Sequence, residues 1–442
     1  MAATSQTPPK RPFGFWVCLA LVIGNMIGSG FFLMPATLAP FGWNGVMGWL
    51  VTSAGALTLA IVFGSLARVM PQAGGPYAYS RAAFGPFAAF VVAWSYWVSM
   101  WIGNVAIATG VVAPLSTIVP GIADHSVIWT LAIVWLLTAI NCFGAAAVGR
   151  IQLVTTLLKI LPLAAVLILA IIVLAEGGGS EAPPLRAEGL TFSGELGIAA
   201  AATLVLWSFL GLESATVPAE RVAAPERNIP RATLVGVVVT GLLYTFVCSA
   251  VALMMPSGQI AESGAPMADF IGRHWGGPAA AIIALFAAVA AFGTLNGWIL
   301  MQGELPWAMA RDGVFPAWFA KLSRFGTPVR AHVTASLLVT IVLVLNSARS
   351  MTDLFGFLIL LATCASLVAY LASSLAALKL RVAQNKAAIF MVAALFSAWA
   401  IYGAGREAVL WGAVLMASGV PLYFLSRGSN PAAEPVPGAP RE

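Results

Sequence analysis

Three ionisable side chains stand well inside long apolar stretches of this chain: Lys159, Glu213 and Glu304. At the centre of a bilayer each would cost at least ~3 kcal/mol without a partner or water. Glu213 follows Gly211 by two residues, in a segment whose helix is interrupted. A carboxylate there can sense protons, attract a cationic ligand, or cap backbone groups freed by the interruption. Lys159 can tether neighbouring helices through their carbonyls, or, since burial penalises its charged form, cycle a proton. Glu304 is near the end of its span, where a carboxylate snorkels or pairs with a loop residue.

Two glycine-interrupted stretches surround this chemistry. In the first apolar segment the run Gly24-Asn25-Met26-Ile27-Gly28-Ser29-Gly30 ends at Pro35, and far downstream Gly211-Leu212-Glu213-Ser214 ends at Pro218. Gly28 and Pro35 are seven positions apart, as are Gly211 and Pro218. Glycine weakens a helix, and broken backbone at membrane depth is tolerated where it borders a cavity or protein that completes its bonding. Small residues also serve helix packing. Two matching interruptions in two halves of a chain, however, point to a carrier site at a repeat interface.

Composition sets the frame. Of 442 residues, 60% are apolar and 9% charged, with a mean hydropathy of +0.93, which excludes a soluble globular protein. At about 20 residues per crossing the chain accommodates about twelve helices and no separate soluble domain. The formal charge of +6 comes from basic residues in short loops, so it is no nucleic-acid signal. No cleavable signal peptide is visible. Cys18, Cys142, Cys248 and Cys364 lie in apolar segments without metal-ligand spacing and read as free thiols. No nucleophile–base set, nucleotide loop or metal cluster stands out, which argues against an enzyme, a cofactor or a metal site.

The spans fall at about 13–38, 43–69, 84–117, 127–148, 150–175, 195–220, 231–255, 277–310, 331–347, 352–380, 387–404 and 406–426. Residues 1–12 form an N-terminal tail, and 427–442, rich in Pro, Ala and Gly, a C-terminal tail expected to be disordered. Seventeen of the 22 Lys and Arg residues fall in one set of loops and termini and four (Arg186, Arg273, Arg349, Arg406) in the opposite set, with Lys159 inside span five. That asymmetry puts both termini and tails in the cytoplasm. The interrupted spans, one and six, start on opposite sides of the membrane. The expected architecture is therefore an all-α membrane protein of twelve helices built as a five-plus-five inverted repeat. Repeat one is about 13–175 and repeat two about 195–380, with spans eleven and twelve (387–426) appended.

Gly28-Ser29-Gly30, Gly74-Gly75-Pro76-Tyr77-Ala78-Tyr79, Trp207-Ser208-Phe209-Leu210-Gly211-Leu212-Glu213-Ser214 and Ala310-Arg311-Asp312-Gly313-Val314-Phe315-Pro316 together resemble the amino acid–polyamine–organocation superfamily. Within it the chain is similar to the basic amino acid/polyamine antiporters, the arginine/agmatine type above all. The resemblance runs from about residue 14 to 425 and implies the leucine-transporter-type fold in a cell inner membrane, compatible with a homodimer. It implies that N–H groups of Ser29 and Gly30 bind a substrate carboxylate, while carbonyls around Met26, Trp207 and Leu210 take the amino group. Asn25, Gly28, Tyr96, Ser99, Met100, Asn104, Ile107 and Ala362 join the substrate-binding set by the same likeness. Trp207 would stack on the substrate and Trp298 close over it. Tyr77, Tyr96, Lys159, Trp207, Glu213 and Trp298 are the implied gating or proton-coupling residues. Ile107 stands where the family has methionine and Ala362 where it has serine. Lys159 is shared with superfamily members in which it takes a sodium ion's place between spans one and eight.

Two readings of the substrate follow. One is exchange of a cationic amino acid for its decarboxylation product, an amine or polyamine, by alternating access. The other is sodium-independent carriage or exchange of neutral amino acids, with or without a proton, which Lys159, Ile107 and Ala362 favour. A channel or receptor is the third class, against which the paired interruptions argue. The partners expected are thus a small amino acid or amine and the lipid bilayer.

Overall fold

The computed structural model describes residues 11–119, 121–177, 185–186, 189–345 and 351–428, with the backbone alone at Ser29, 351–357 and 427–428. Most of the N-terminal tail and residues 429–442 lie outside this range. Among the described residues all regular elements are helical, and a single bridge joins Phe13 to Val222.

The first span is two helices, α1 (Phe15–Met26) and α2 (Ser29–Leu38). They are followed by α3 (Trp43–Val69), a short α4 (Pro76–Phe84) and α5 (Pro86–Ser116). Next come α6 (Ser126–Cys142), α7 (Ala145–Ala175) and α8 (Ile198–Leu206). The second half continues with α9 (Pro225–Met254), two short helices, α10 (Ser257–Ala261) and α11 (Pro266–Trp275), and α12 (Gly277–Arg311). It ends with α13 (Val329–Leu345), α14 (Met351–Lys379), α15 (Ala387–Gly403), α16 (Arg406–Ser418) and α17 (Val420–Gly428). Among the described residues ten segments are long and apolar enough to cross a membrane, and the shorter apolar segments Ile198–Phe209 and Val329–Leu345 stand at the two remaining expected spans.

Several boundaries differ from the sequence reading. Span four ends at Cys142, because Gly144 turns the chain at φ +131° before α7 starts at Ala145. Hydrophobicity is continuous across that turn, so it carries no signal there. α9 starts at Pro225, six residues early: proline is pre-organised for a first helical turn, and the polar turns that follow read as loop. The second interrupted span is α-helical only to Leu206. It continues as a 3-10 turn at Trp207–Phe209 and then as turns to Pro218. The matched seven-residue spacings therefore do not give matched local structure, since Pro35 lies within α2 and Pro218 after a run of turns. The C-terminal helix also runs to Gly428, two residues into the expected tail.

α7 shows how the sequence places these helices. Val154, Leu157, Leu161, Ile168 and Ile171 are exposed, and Gln152, Thr155, Lys159, Leu163 and Val166 are buried. Both sets recur at steps of three, four or seven residues, so an apolar stripe faces outward and the polar residues face inward. In a bilayer the outward stripe is solvated by lipid and the polar stripe must find partners in protein. α5, with the α1–α2 pair, is the most enclosed of the long segments, while α6, α15 and α16 are among the most exposed. α1 packs on α9 and α8 on α3, α12 on α7 and α5 on α14; α3 also packs on α9, α5 on α12 and α6 on α13.

Candidate functional site

The first interruption is two residues long. Ile27 (ψ 93°) and Gly28 (φ −136°, ψ −160°) are extended, so α1 ends with free carbonyls and α2 starts with free N–H groups. The Lys159 ammonium fills the carbonyl side, donating to Gly24 O at 2.7 Å and Ile27 O at 2.6 Å and to Thr294 Oγ1 at 3.1 Å. Thr294 Oγ1 also stands 2.7–3.0 Å from the carbonyls of Gly24, Ile27 and Ala290, and its one proton serves one of them at a time. Lys159 is fully buried. It tethers α7 to the break in α1 beside α12, and three charge-assisted bonds offset part of its desolvation.

At the second interruption Leu210 is extended and Gly211 takes φ +103°, a left-handed conformation that favours glycine. The following turns are held by bonds from Ser214 N to Gly211 O (3.0 Å) and Thr216 N to Glu213 O (2.7 Å). The buried Glu213 carboxylate accepts from the Tyr96 and Tyr370 hydroxyls. It also accepts from Gly211 N at 3.2 Å. It caps the freed backbone of its own segment and joins that segment to α5 and α14.

Between the interruptions lies a cavity of about 20 Å³ bordered by Asn25, Met26, Gly28, Gly30, Ile107, Trp207, Leu210 and Trp298, all named from sequence, and by Ser208 and Thr294. That volume holds about one water, so the cavity is too small for an amino acid in this conformation. Trp207 does much of the narrowing. A Cβ added to Gly30 would overlap its Nε1–Cδ1 edge, while its far ring edge faces Gly103 of α5, next to Ala362. Trp298 Nε1 donates to Asn25 O at 3.3 Å.

Other expected positions turn elsewhere. Tyr96 reaches Glu213. Ser99 Oγ donates to Tyr96 O and accepts from Ser366 Oγ. Asn104 Nδ2 donates to Gln302 Oε1 at 2.7 Å, and Met100 is buried in the core. None of these four borders the cavity, nor does Ala362. Ser29 contributes its backbone at the start of α2. Sequence reasoning passed over Ser208, Thr294 and Tyr370. Ser208 has a buried hydroxyl with no hydrogen-bond partner and borders the cavity; its place beside Trp207 in the break was the available signal. Thr294, one helical turn before Trp298, carried a weaker one, and nothing local distinguishes Tyr370.

The two loop motifs meet at one end of the bundle. Gly74 N donates to Val217 O at 2.8 Å, which docks the Gly74–Tyr79 motif on the second interrupted segment. Asp312, from the motif after α12, accepts from Tyr77 OH at 3.0 Å and pairs with Arg81. Burial, then the Asp312 charge, pushes the Tyr77 phenol up, so it stays a donor. Arg311 makes a forked pair with Glu220 at 2.7 and 2.8 Å. Burial alone would raise the Glu220 carboxyl, but that guanidinium outweighs it and holds it below the ordinary range. Glu304, read as snorkelling or loop-paired, is loop-paired: it accepts from Arg221 Nε at 2.6 Å, and Arg221 Nη2 donates to Gly326 O. The residues just before α1 join in, with Phe13 N bonded to Arg221 O and Ala223 N to Phe13 O.

The sequence is similar to those of known proteins. Residues 13–426 match the amino acid permease family. The chain is 33% identical over 369 residues to the cadaverine/lysine antiporter of Escherichia coli (strain K12), covering 81% of this chain and 82% of that one. It is 33% identical over 398 residues (84% of each chain) to a Bacillus subtilis (strain 168) protein provisionally named an arginine/ornithine antiporter. To the putrescine transporter of Haemophilus influenzae it is 29% identical over 419 residues, 91% of this chain and 94% of that one. The chain thus belongs to the amino acid permease family, among the basic amino acid/polyamine antiporters of the amino acid–polyamine–organocation superfamily, and is a multi-pass membrane transporter of small amino acids or amines and not an enzyme.

Proposed function

We propose that the protein exchanges a cationic amino acid for a cationic amine by alternating access across a cell inner membrane, with both termini in the cytoplasm. The observation that carries this is one small cavity onto which both interrupted helices open, bordered by Trp207 and Trp298. The α2 N-terminus offers unpaired N–H groups and the positive end of a helix dipole to a carboxylate. The carbonyls near Met26, Trp207 and Leu210 suit an ammonium, and the unpartnered Ser208 hydroxyl is free to bond either group. Indole faces hold a cationic side chain, at roughly 2 kcal/mol when dry. Relatives named for lysine with cadaverine, for arginine with ornithine and for putrescine support this substrate class. Arginine with agmatine remains one member of it.

Packing supports an inverted five-plus-five repeat. If α1–α2 corresponds to α8, α3 to α9, α5 to α12, α6 to α13 and α7 to α14, exchanging the halves turns α1 on α9 into α8 on α3, and α12 on α7 into α5 on α14. The pairs α3–α9, α5–α12 and α6–α13 map onto themselves. In this reading the interlocked Arg311, Arg221 and Asp312 pairs close the cytoplasmic side.

Exchange of neutral amino acids is the second reading, favoured by the absence of any acidic side chain from the cavity border. Counterflow separates the two. Proteoliposomes loaded with arginine should take up labelled lysine, ornithine and arginine and their decarboxylated amines faster than alanine or leucine. The reverse ranking would establish the neutral carrier.

A further inference from the structure

Four buried carboxamides run head to tail from α6 to the break in α1. Asn141 Nδ2 donates to Asn296 Oδ1 at 3.3 Å, Asn296 Nδ2 to Gln152 Oε1 at 3.2 Å, and Gln152 Nε2 to Asn25 Oδ1 at 3.2 Å. All four residues are at most 2% exposed. Backbone carbonyls fix the direction of the chain. The same amide nitrogens donate to Leu137 O, Val148 O and Ala20 O. A carbonyl only accepts, so none of the three amides can be turned round. Successive dipoles in one sense polarise each other, and Asn141 Oδ1 is left without a partner at the far end.

Asn25, at the near end, is where the chain meets the site. Its backbone carbonyl accepts from Trp298 Nε1, and a Cβ on Gly211 would overlap its Cβ, so it touches the second interrupted segment as well. Its own amide nitrogen has only the weak thioether acceptor Met301 Sδ, at 3.9 Å. Gln152 thus gives the side chain its one strong hydrogen bond, while Gly297 of α12 packs against the same carboxamide.

From this we infer that Gln152, Asn296 and Asn141 are positioning residues for transport, which hold Asn25, and through it the α1 break and Trp298, in their contracted arrangement around the cavity. α6, α7 and α12 supply the anchored members and α1 the member that must shift when the cavity opens. Moving α1 away from α7 breaks the Gln152–Asn25 bond and leaves buried polar atoms exposed to one another, which penalises partly open states. The bond is a neutral one, weak enough to break in each cycle, whereas the Lys159 ammonium bonds carbonyls on either side of Asn25 through its charge.

The inference requires only that the protein is a transporter and not which amino acid it carries. Counterflow of labelled lysine by the wild type tests the substrate; if lysine is not exchanged, the relay is read with whichever amino acid of the panel is. Gln152→Glu keeps the shape but sets a carboxylate against Asn25 Oδ1 and Ala20 O, and protonation returns one donor. Ionisable side chains on the helices concerned are Cys18 on α1, Cys142 on α6, Arg150 and Lys159 on α7 and Glu304 and Arg311 on α12, with Tyr244 and Cys248 buried on the adjoining α9, and each variant retains them all. At neutral pH the Gln152→Glu exchange rate should be roughly tenfold below wild type, with KM changed by less than about threefold. The ratio to wild type should recover in acid, and Gln152→Leu should lose rate without acid recovery. A wild-type rate for Gln152→Glu at neutral pH overturns the inference, as does a pH-independent loss in a monodisperse protein. If the Gln152 variants do not fold, Asn141→Leu at the remote end decides: a rate at least about threefold lower with KM held supports the relay, and an unchanged rate refutes it.

Discussion

The Nε1 edge of the Trp207 indole lies so close to Gly30 that a single added carbon on Gly30 would overlap it. The two interruptions thus meet face to face, and the side chain that glycine lacks leaves the space in which the indole lies. The start of α2 and the Trp207 indole of the second interrupted span border the same cavity.

Gly30→Val should therefore abolish amino acid and amine binding in a protein that still folds. Overpacking costs roughly 1–3 kcal/mol, so affinity should fall by roughly tenfold or more. Scintillation-proximity binding in detergent measures this, with monodispersity as the folding control. Wild-type affinity in the variant would remove the carboxylate site from the α2 terminus.

Lys159 supplies a positive charge beside the break in α1, bonded to the carbonyls of Gly24 and Ile27. Transport should then run at full rate without sodium. Lys159→Ala leaves carbonyls unpaired at depth, at roughly several kcal/mol each, and should depress turnover more than equilibrium binding. A strict sodium requirement in the wild type would refute the assignment.

Glu213 accepts from two phenols and one amide N–H and does not border the cavity. Glu213→Gln loses an acceptor for at least one tyrosine, a cost of roughly 1–3 kcal/mol. Turnover of cationic and neutral substrates should fall together, and Tyr370→Phe should fall in the same direction by less. A loss confined to cations would show that the carboxylate faces the substrate during the cycle.

Asp312→Asn weakens the pair with Arg81 and the bond from Tyr77. Stability should change by less than about 1 kcal/mol because the pair is partly exposed. Access from that side should rise, read as faster labelling of a cysteine placed at Ser208. Acid should act differently on the neighbouring link. The Glu220 carboxyl is held below its ordinary range, so its pairing with Arg311 persists at neutral pH and fails only as pH falls through that lowered value. Unchanged labelling in Asp312→Asn would deny the cluster a gating role.

Much of this was legible before the fold. Glycines 24, 28, 30 and 211 mark both interruptions, because only a chain with something to complete its bonding tolerates them at depth. Lys159 announced itself as a charge on a helix otherwise striped with Leu and Ile. The second interruption was legible in place but not in form: the turns after Leu210 depend on Gly211 and on the Glu213 cap, a carboxylate held by α5 and α14. Tyr370, Gln152 and Asn296 could not be singled out, since their partners are more than a hundred residues away. The end of α6 was misplaced because Gly144 turns a chain whose hydrophobicity does not change.

The central claim is obligatory exchange of a cationic amino acid for a cationic amine through the cavity beneath Trp207 and Trp298. Efflux of labelled lysine from loaded proteoliposomes, in sodium-free buffer with the membrane potential clamped at zero, tests it most directly. External cadaverine or putrescine should accelerate efflux at least about tenfold over buffer alone, and Gly30→Val should abolish the acceleration. Efflux that proceeds equally without external amine, or that responds to alanine and not to diamines, would contradict it.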